Sequence, residues 1–104
     1  MAAMVVRISK GRFDLGQGDA VAKLLADGEA TLRPAITALR GLADYYVGLD
    51  RELGFMTNVS VWQTLEDAKQ MATLQAMLDQ RARFEAIGVA FEPITNHTVL
   101  WRLP

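Results

Sequence analysis

The chain has 104 residues, a formal net charge of -1 and no cysteine. Its length is that of one domain, the lack of cysteine excludes disulfides and thiolate metal sites, and the near-neutral charge argues against a nucleic-acid binder, which would show a basic patch. Hydrophobic residues make up 51% of it, at the upper edge of ordinary soluble domains, a surplus that an oligomer interface would use. No apolar run reaches the length of a membrane span. The start, Met1-Ala2-Ala3-Met4, lacks the charged segment and long apolar run of a secretory leader. A cytoplasmic protein without a membrane partner is expected.

The first element is a strand, Met4-Val5-Val6-Arg7-Ile8-Ser9-Lys10, rich in β-branched residues that favour a pleated surface. Asp14-Leu15-Gly16-Gln17-Gly18 is a turn; the rest of a dinucleotide fingerprint is missing and no Walker lysine follows, so it reads as a plain connection. Asp19 is placed as the N-cap of a helix beginning at Ala20. Val21, Leu24, Leu25, Leu32, Ala35, Ile36 and Leu39 hold one helical phase. Gly28 and Pro34 interrupt it, since proline lacks the N–H that would bond back to Ala30. Two helical pieces are therefore expected, the second capped by Thr31 and ended by Gly41. A second strand spans Leu42 to Leu49, and Asp50-Arg51-Glu52-Leu53-Gly54 suits a hairpin loop.

The next stretch, Phe55-Met56-Thr57-Asn58-Val59-Ser60-Val61-Trp62, alternates with the period of two of a pleated strand. Thr64 follows as a helix N-cap, with Asp67 as the acidic half of a capping box. Leu65, Ala68, Met71 and Ala72 form one stripe, while Leu74, Met77, Phe84 and Ile87 form another at a different angle, so a break falls between Ala72 and Gln75. Gly88 ends the second piece. Val89 to Ile94 is a short strand interrupted by Pro93, which belongs at an edge or a bulge. Asn96-His97 reads as a bend, and Thr98-Val99-Leu100-Trp101-Arg102-Leu103 as a final strand.

Strand, helix, strand, strand, helix, strand is the split βαβ, ferredoxin-like α+β pattern, with both helical segments on one face of an antiparallel sheet. The other face should be polar. Yet Val59 and Val61 are apolar on one side of the third strand while Met56 and Trp62 are apolar on the other, and Val5 opposes Val6 and Ile8 in the first strand. One helical layer covers only one of these faces. A second copy of the sheet would cover the other, as a two-fold homodimer.

With Met4-Val5-Val6-Arg7-Ile8 at the start, Gly41-Leu42-Ala43-Asp44-Tyr45-Tyr46 entering the second strand, Asn58-Val59-Ser60-Val61-Trp62-Gln63-Thr64-Leu65-Glu66-Asp67 in the middle and Gly88 followed by Phe91-Glu92-Pro93-Ile94, the chain resembles the antibiotic biosynthesis monooxygenase-like family of the dimeric α+β barrel superfamily. Ser60 and Trp62 ahead of an acidic helix start are the most specific part. The resemblance implies a single domain over residues 1–104, paired into a dimeric α+β barrel with a ligand cavity between sheet and helices. Some members oxidise aromatic polyketides without metal or flavin, some degrade haem, and many have no known activity. The haem-degrading members carry a histidine on the helix after the tryptophan; here that region reads Met71-Ala72-Thr73-Leu74, so haem degradation by that route is not expected.

Asn58, Ser60 and Trp62 share one strand face by alternation. On the functional reading, Asn58 and Trp62 are the catalytic pair: Asn58 hydrogen-bonds a phenolic or enolate oxygen and Trp62 stacks on the ring. A row of amide, hydroxyl and indole suits a mostly apolar pocket with a few placed polar groups, so all three are expected on one cavity wall. The plainer reading is a core tryptophan beside a satisfied amide. Arg7, Tyr45, Met71 and Phe84 join Ser60 as candidate substrate-binding residues. Arg7 could pair an anionic ligand or Asp44, or lie at the surface of an edge strand. Tyr45 and Tyr46 point to opposite faces, so at most one lines a given cavity, and Met71, like Met77, is more often a core gap filler than part of a ligand site. His97, the one histidine, reads as a surface or turn residue. No cluster suggests a metal, and no cofactor is expected. Three functions stay open: a cofactor-independent monooxygenase on a small aromatic or polyketide-like substrate, a non-catalytic small-molecule binder, and a structural homodimer with a filled core.

Overall fold

The computed structural model describes residues 3–104; Met1 and Ala2, part of the start read above as lacking a leader, lie outside the described residues. The elements run β1 (Val5–Arg12), α1 (Gly18–Thr37), β2 (Leu42–Asp50), β3 (Phe55–Trp62), α2 (Leu65–Ala68), α3 (Gln75–Ala86), β4 (Ala90–Phe91) and β5 (Thr95–Thr98), with tight helical turns at Leu15–Gln17 and Lys69–Thr73. The strands form one antiparallel sheet in the order β2-β3-β1-β4, with β5 also on β1. This is the ferredoxin-like α+β arrangement. Among the described residues no helix is long and apolar enough to cross a membrane.

β1 is central rather than at an edge, flanked by β3 on one side and by β4 and β5 in succession on the other. Between β4 and β5, the Glu92 N–H still donates to the Lys10 carbonyl at 2.9 Å. Pro93 then interrupts the ladder, at an edge, where the missing N–H costs least. The last strand therefore begins earlier than expected. It contains Asn96 and His97, read from sequence as a bend, and it ends at Thr98. Its partner β1 starts at Val5, and beyond the bond from the Val99 N–H to the Met4 carbonyl at 2.9 Å no further strand pairs with the tail among the described residues. Leu100, Trp101 and Leu103 are consequently exposed.

The local signals hold best where they involve neighbours within one turn. Thr64 Oγ1 accepts from the Asp67 N–H at 3.1 Å, capping α2 as expected. The reciprocal half of the capping box is not made, because the Asp67 carboxylate turns toward Arg40, 3.8 Å away. The helix breaks at Leu74, whose extended ψ of 114° separates the two stripes. Gly88, at φ 94°, follows the end of α3; its N–H donates to the Glu85 carbonyl and the Val89 N–H to that of Phe84. That is a Schellman closure, and Val89 packs with Phe84 in one core cluster.

Three readings of α1 are corrected. The helix is continuous through Gly28, Thr31 and Pro34. Pro34 and Ala30 lie on the exposed side, so the orphaned Ala30 carbonyl faces solvent, and the buried Val21 and Ile36 hold both ends to the core. Gly28 marks a close approach instead: a Cβ there would lie 2.6 Å from Gln80 Nε2, which donates to the Leu24 carbonyl at 2.9 Å. Asp19 is not the cap. The preceding tight turn feeds the helix from Gly18, and Asp19 in the first turn instead accepts from Arg51 at 2.6 Å. The helix ends at Thr37 with Ala38 as its C-cap; Gly41, at φ 75°, serves the turn into β2.

The register places the helix-facing side chains of β2, β3 and β1 in rows across the sheet: Leu42, Trp62 and Val5; then Tyr45, Ser60 and Arg7; then Val47, Asn58 and Ser9; then Leu49, Met56 and Gly11. The outer rows are apolar and each seeds a core. Val5 and Trp62 pack with Ile36, Ala68 and Met71, while Met56 packs with Phe13, Val21, Phe84 and Val89. The two middle rows are polar.

Candidate functional site

A cavity of about 530 Å³ lies between the sheet and the helices, within the size range of small-ligand sites. Its lining draws on both cores, with Ile36 and Met71 from one and Met56 and Phe84 from the other. Arg7, Ser9, Asn58 and Tyr45 come from the polar middle rows, and Leu32, Phe91 and Ile94 add apolar surface. Glu29 and Arg33 on α1, paired to each other, and the exposed Leu78 and Val47 mark where it meets solvent.

Of the residues singled out from sequence, Arg7, Tyr45, Asn58, Met71 and Phe84 all lie on this wall. Ser60 and Trp62 do not. Both have 0% exposure, and the Trp62 indole N–H donates to Ser60 Oγ at 2.8 Å. The expected row of three is real in register, but helix α1 and the segment carrying Ala68 and Met71 close over its Trp62 end. Trp62 is thus a core residue whose one polar atom is satisfied by its neighbour two positions back. The cavity opens over Asn58, the other end of the row.

Arg7 is 5% exposed, where an edge-strand surface residue or a partner for Asp44 had been considered. Asp44 lies on the opposite sheet face, in register with Val61, and accepts from the Tyr46 hydroxyl at 2.9 Å. Among the described residues no carboxylate pairs with Arg7, and its Nη1 is buried without a hydrogen-bond partner. Burial pulls its guanidinium below the ordinary arginine value, with nearby Tyr45 opposing that shift. Asn58 Oδ1 is likewise buried without a partner among the described residues. Native proteins leave few such atoms, and here a donor and an acceptor of this kind share one wall. Burial also pushes the Tyr45 phenol up to about 12, against the pull of Arg7, so it stays protonated at neutral pH.

Several wall residues had not been singled out. Ser9 shares the face of Arg7 by alternation, a signal that was available. Gln80 and Arg81 fill the gap in the stripe between Met77 and Phe84. Gln80 is committed to packing: it donates to Leu24 and accepts from Arg83 Nη1 at 3.1 Å. Arg81 sits over the Phe91 ring at 4.8 Å and faces Glu85 at 3.6 Å. His97 is exposed on β5, its Nε2 2.8 Å from Thr95 Oγ1. No group of three or more His, Cys, Asp or Glu that could hold a metal occurs among the described residues.

No protein-family profile and no curated protein matches the chain in sequence. Solved structures do match in fold. A candidate antibiotic biosynthesis monooxygenase from Chloroflexus aurantiacus J-10-fl aligns over 98% of both chains with 21% identity and a TM-score of 0.65. SnoaB, a cofactor-independent oxygenase from Streptomyces nogalater, aligns over 99% of both chains with 14% identity and a TM-score of 0.67. A candidate antibiotic biosynthesis monooxygenase from Deinococcus radiodurans aligns over 96% of both chains with 15% identity and a TM-score of 0.73. The chain has, over nearly its whole length, the monooxygenase-like ferredoxin-type α+β fold of these proteins.

Proposed function

We propose that the protein is a cofactor-independent monooxygenase whose substrate, a small aromatic or polyketide-like molecule, binds in the cavity between sheet and helices. The observation that carries this reading is the cavity itself, an apolar space with a few polar groups set into one wall. The likeness in fold to SnoaB, described as a cofactor-independent oxygenase, supports it. In such chemistry a substrate methylene loses a proton, the carbanion reduces dioxygen, one oxygen atom becomes a ring carbonyl and the other leaves as water with the two methylene hydrogens. The protein's part is to hold the substrate and stabilise the negative charge that develops on its oxygen, by preorganised donors. Arg7 supplies a donor on the wall and Asn58 a polar contact beside it, while Tyr45, Met71 and Phe84 form the surface against which rings pack. Trp62 and Ser60 act from behind as a positioning pair that fixes the strand carrying Asn58.

The functional unit we propose is a homodimer. Val6, Ile8, Val59 and Val61 lie on the sheet face away from the helices, Tyr46 stands exposed beside them, and the apolar tail residues Leu100, Trp101 and Leu103 are exposed as well. Light scattering at micromolar concentration is expected to give twice the chain mass; a monomer there removes the barrel.

A specific observation favours a second reading, a non-catalytic binder using the same cavity. Among the described residues its wall carries no histidine, Tyr45 is held protonated, and the lining carboxylate, Glu29, is exposed and paired with Arg33. Oxygen uptake with a panel of anthrones and quinols decides between the two. Uptake above the uncatalysed rate, with quinone formed and the rate lowered in Asn58→Ala, supports the oxygenase. Binding of the same compounds without uptake refutes it in favour of the binder.

A further inference from the structure

We propose that the cavity selects its ligand as an anion: an aromatic acid whose carboxylate is held by Arg7 and whose neighbouring hydroxyl donates to Asn58. The proposal rests on the reading that the cavity holds a small aromatic molecule, and it names the class. Arg7 and Asn58 are 5% and 8% exposed, and both line the cavity. Each carries a buried atom without a partner among the described residues, Nη1 on Arg7 and Oδ1 on Asn58. One is a donor and the other an acceptor, so they could have satisfied each other. They do not, and since both residues line the cavity, the ligand that suits them presents an acceptor to Arg7 and a donor to Asn58.

The strand register makes one small molecule sufficient. Arg7 lies opposite Ser60, and Asn58 opposite Ser9, so Arg7 and Asn58 are diagonal neighbours on adjacent strands, within reach of a common ligand. Charge points the same way. The lining holds three arginines and one glutamate; Arg33 is paired with Glu29 and Arg81 with Glu85, which leaves Arg7 as the charge on the wall without a carboxylate among the described residues. A buried guanidinium is costly unless a counter-charge meets it, and its planar fork matches a carboxylate. Phe84, Phe91 and Leu32 then offer the apolar faces between which the ring lies.

The test is calorimetric titration of the full chain with three probes: ortho-hydroxynaphthoate, its neutral amide ortho-hydroxynaphthamide, and naphthoate without the hydroxyl. The hydroxy acid is expected to bind about tenfold tighter than the amide or more. Arg7→Gln should abolish that preference while keeping the affinity for the amide, and Asn58→Ala should abolish the advantage of the hydroxy acid over plain naphthoate. The comparison among probes on the unaltered protein needs no variant to fold, and thermal melting checks the two that are made. Equal affinity for acid and amide, binding of no probe, or an Arg7→Gln variant that loses acid and amide alike each overturns the proposal. Acid preference without oxygen uptake leaves it standing and removes only the oxygenase; oxygen uptake without acid preference does the reverse.

Discussion

Replacing Arg7 by methionine should make the protein more stable. Arg7 is 5% exposed on a central strand, its Nη1 lacks a partner among the described residues, and burial shifts its guanidinium in the direction that disfavours the charged form. Removing a buried charge from water costs several kcal/mol after relaxation, and replacing buried ionic groups by apolar ones of similar size commonly stabilises by about 1–4 kcal/mol. Part of that penalty is already relieved here, because Arg7 borders the cavity rather than lying in a filled core. Methionine keeps the apolar stem and roughly the length, so little cavity is created. The net expectation is a gain of about 1–3 kcal/mol, raising Tm by about 4 °C or more per kcal/mol for a domain of this size. Urea unfolding at one fixed protein concentration, needed because association shifts apparent stability, measures it. A loss of about 1 kcal/mol or more in Arg7→Met refutes the reasoning, since it means that the guanidinium is paired in solution. The trade is familiar from binding sites, where a group kept for its ligand costs the unliganded fold.

Ser60→Ala leaves the buried Trp62 indole N–H, now bonded to Ser60 Oγ at 2.8 Å, without an acceptor. It should cost about 1–3 kcal/mol, and much less in a Trp62→Phe background, where nothing is left unpaired; additive losses in a double-mutant cycle contradict this. Thr64→Ala removes the side-chain cap on α2 and should cost about 1 kcal/mol in denaturant unfolding; an unchanged midpoint means the cap is not needed. Burial holds the Tyr45 phenol up at about 12. A raised folded value means stability fully present below the unfolded value of about 10 and lost as pH rises through about 12. Phenolate absorbance in Tyr46→Phe, which removes the phenol bonded to Asp44, should show Tyr45 titrating well above 10, and a midpoint at the ordinary value contradicts the burial.

Much of this protein follows from residues close in sequence. The period of two puts Asn58, Ser60 and Trp62 on one face of β3 and Val59 and Val61 on the other. Thr64, Leu74 and Gly88 set helix boundaries through contacts within a turn. The element order, read from those signals, was enough for the ferredoxin-like arrangement. What lay beyond them was decided by contacts between elements distant in the chain. Pro34 looked like a break, yet α1 runs through it because its buried face packs at both ends and its orphaned carbonyl meets solvent. Trp62 looked like a pocket residue, but whether a strand residue meets a cavity or a core depends on what lies over it; Ile36, Ala68 and Met71 cover Trp62, while Asn58, two residues away on the same face, borders open space. Arg7 gave no local sign of burial, because a single charged side chain in an apolar strand reads the same at an edge as at the centre. Only strand order places β1 between β3 and the β4–β5 edge, and with it a charge where water cannot fully reach. Periodicity fixes the direction in which a side chain points, since that is a property of the local backbone; what it meets there depends on the register and packing of segments far away in the chain.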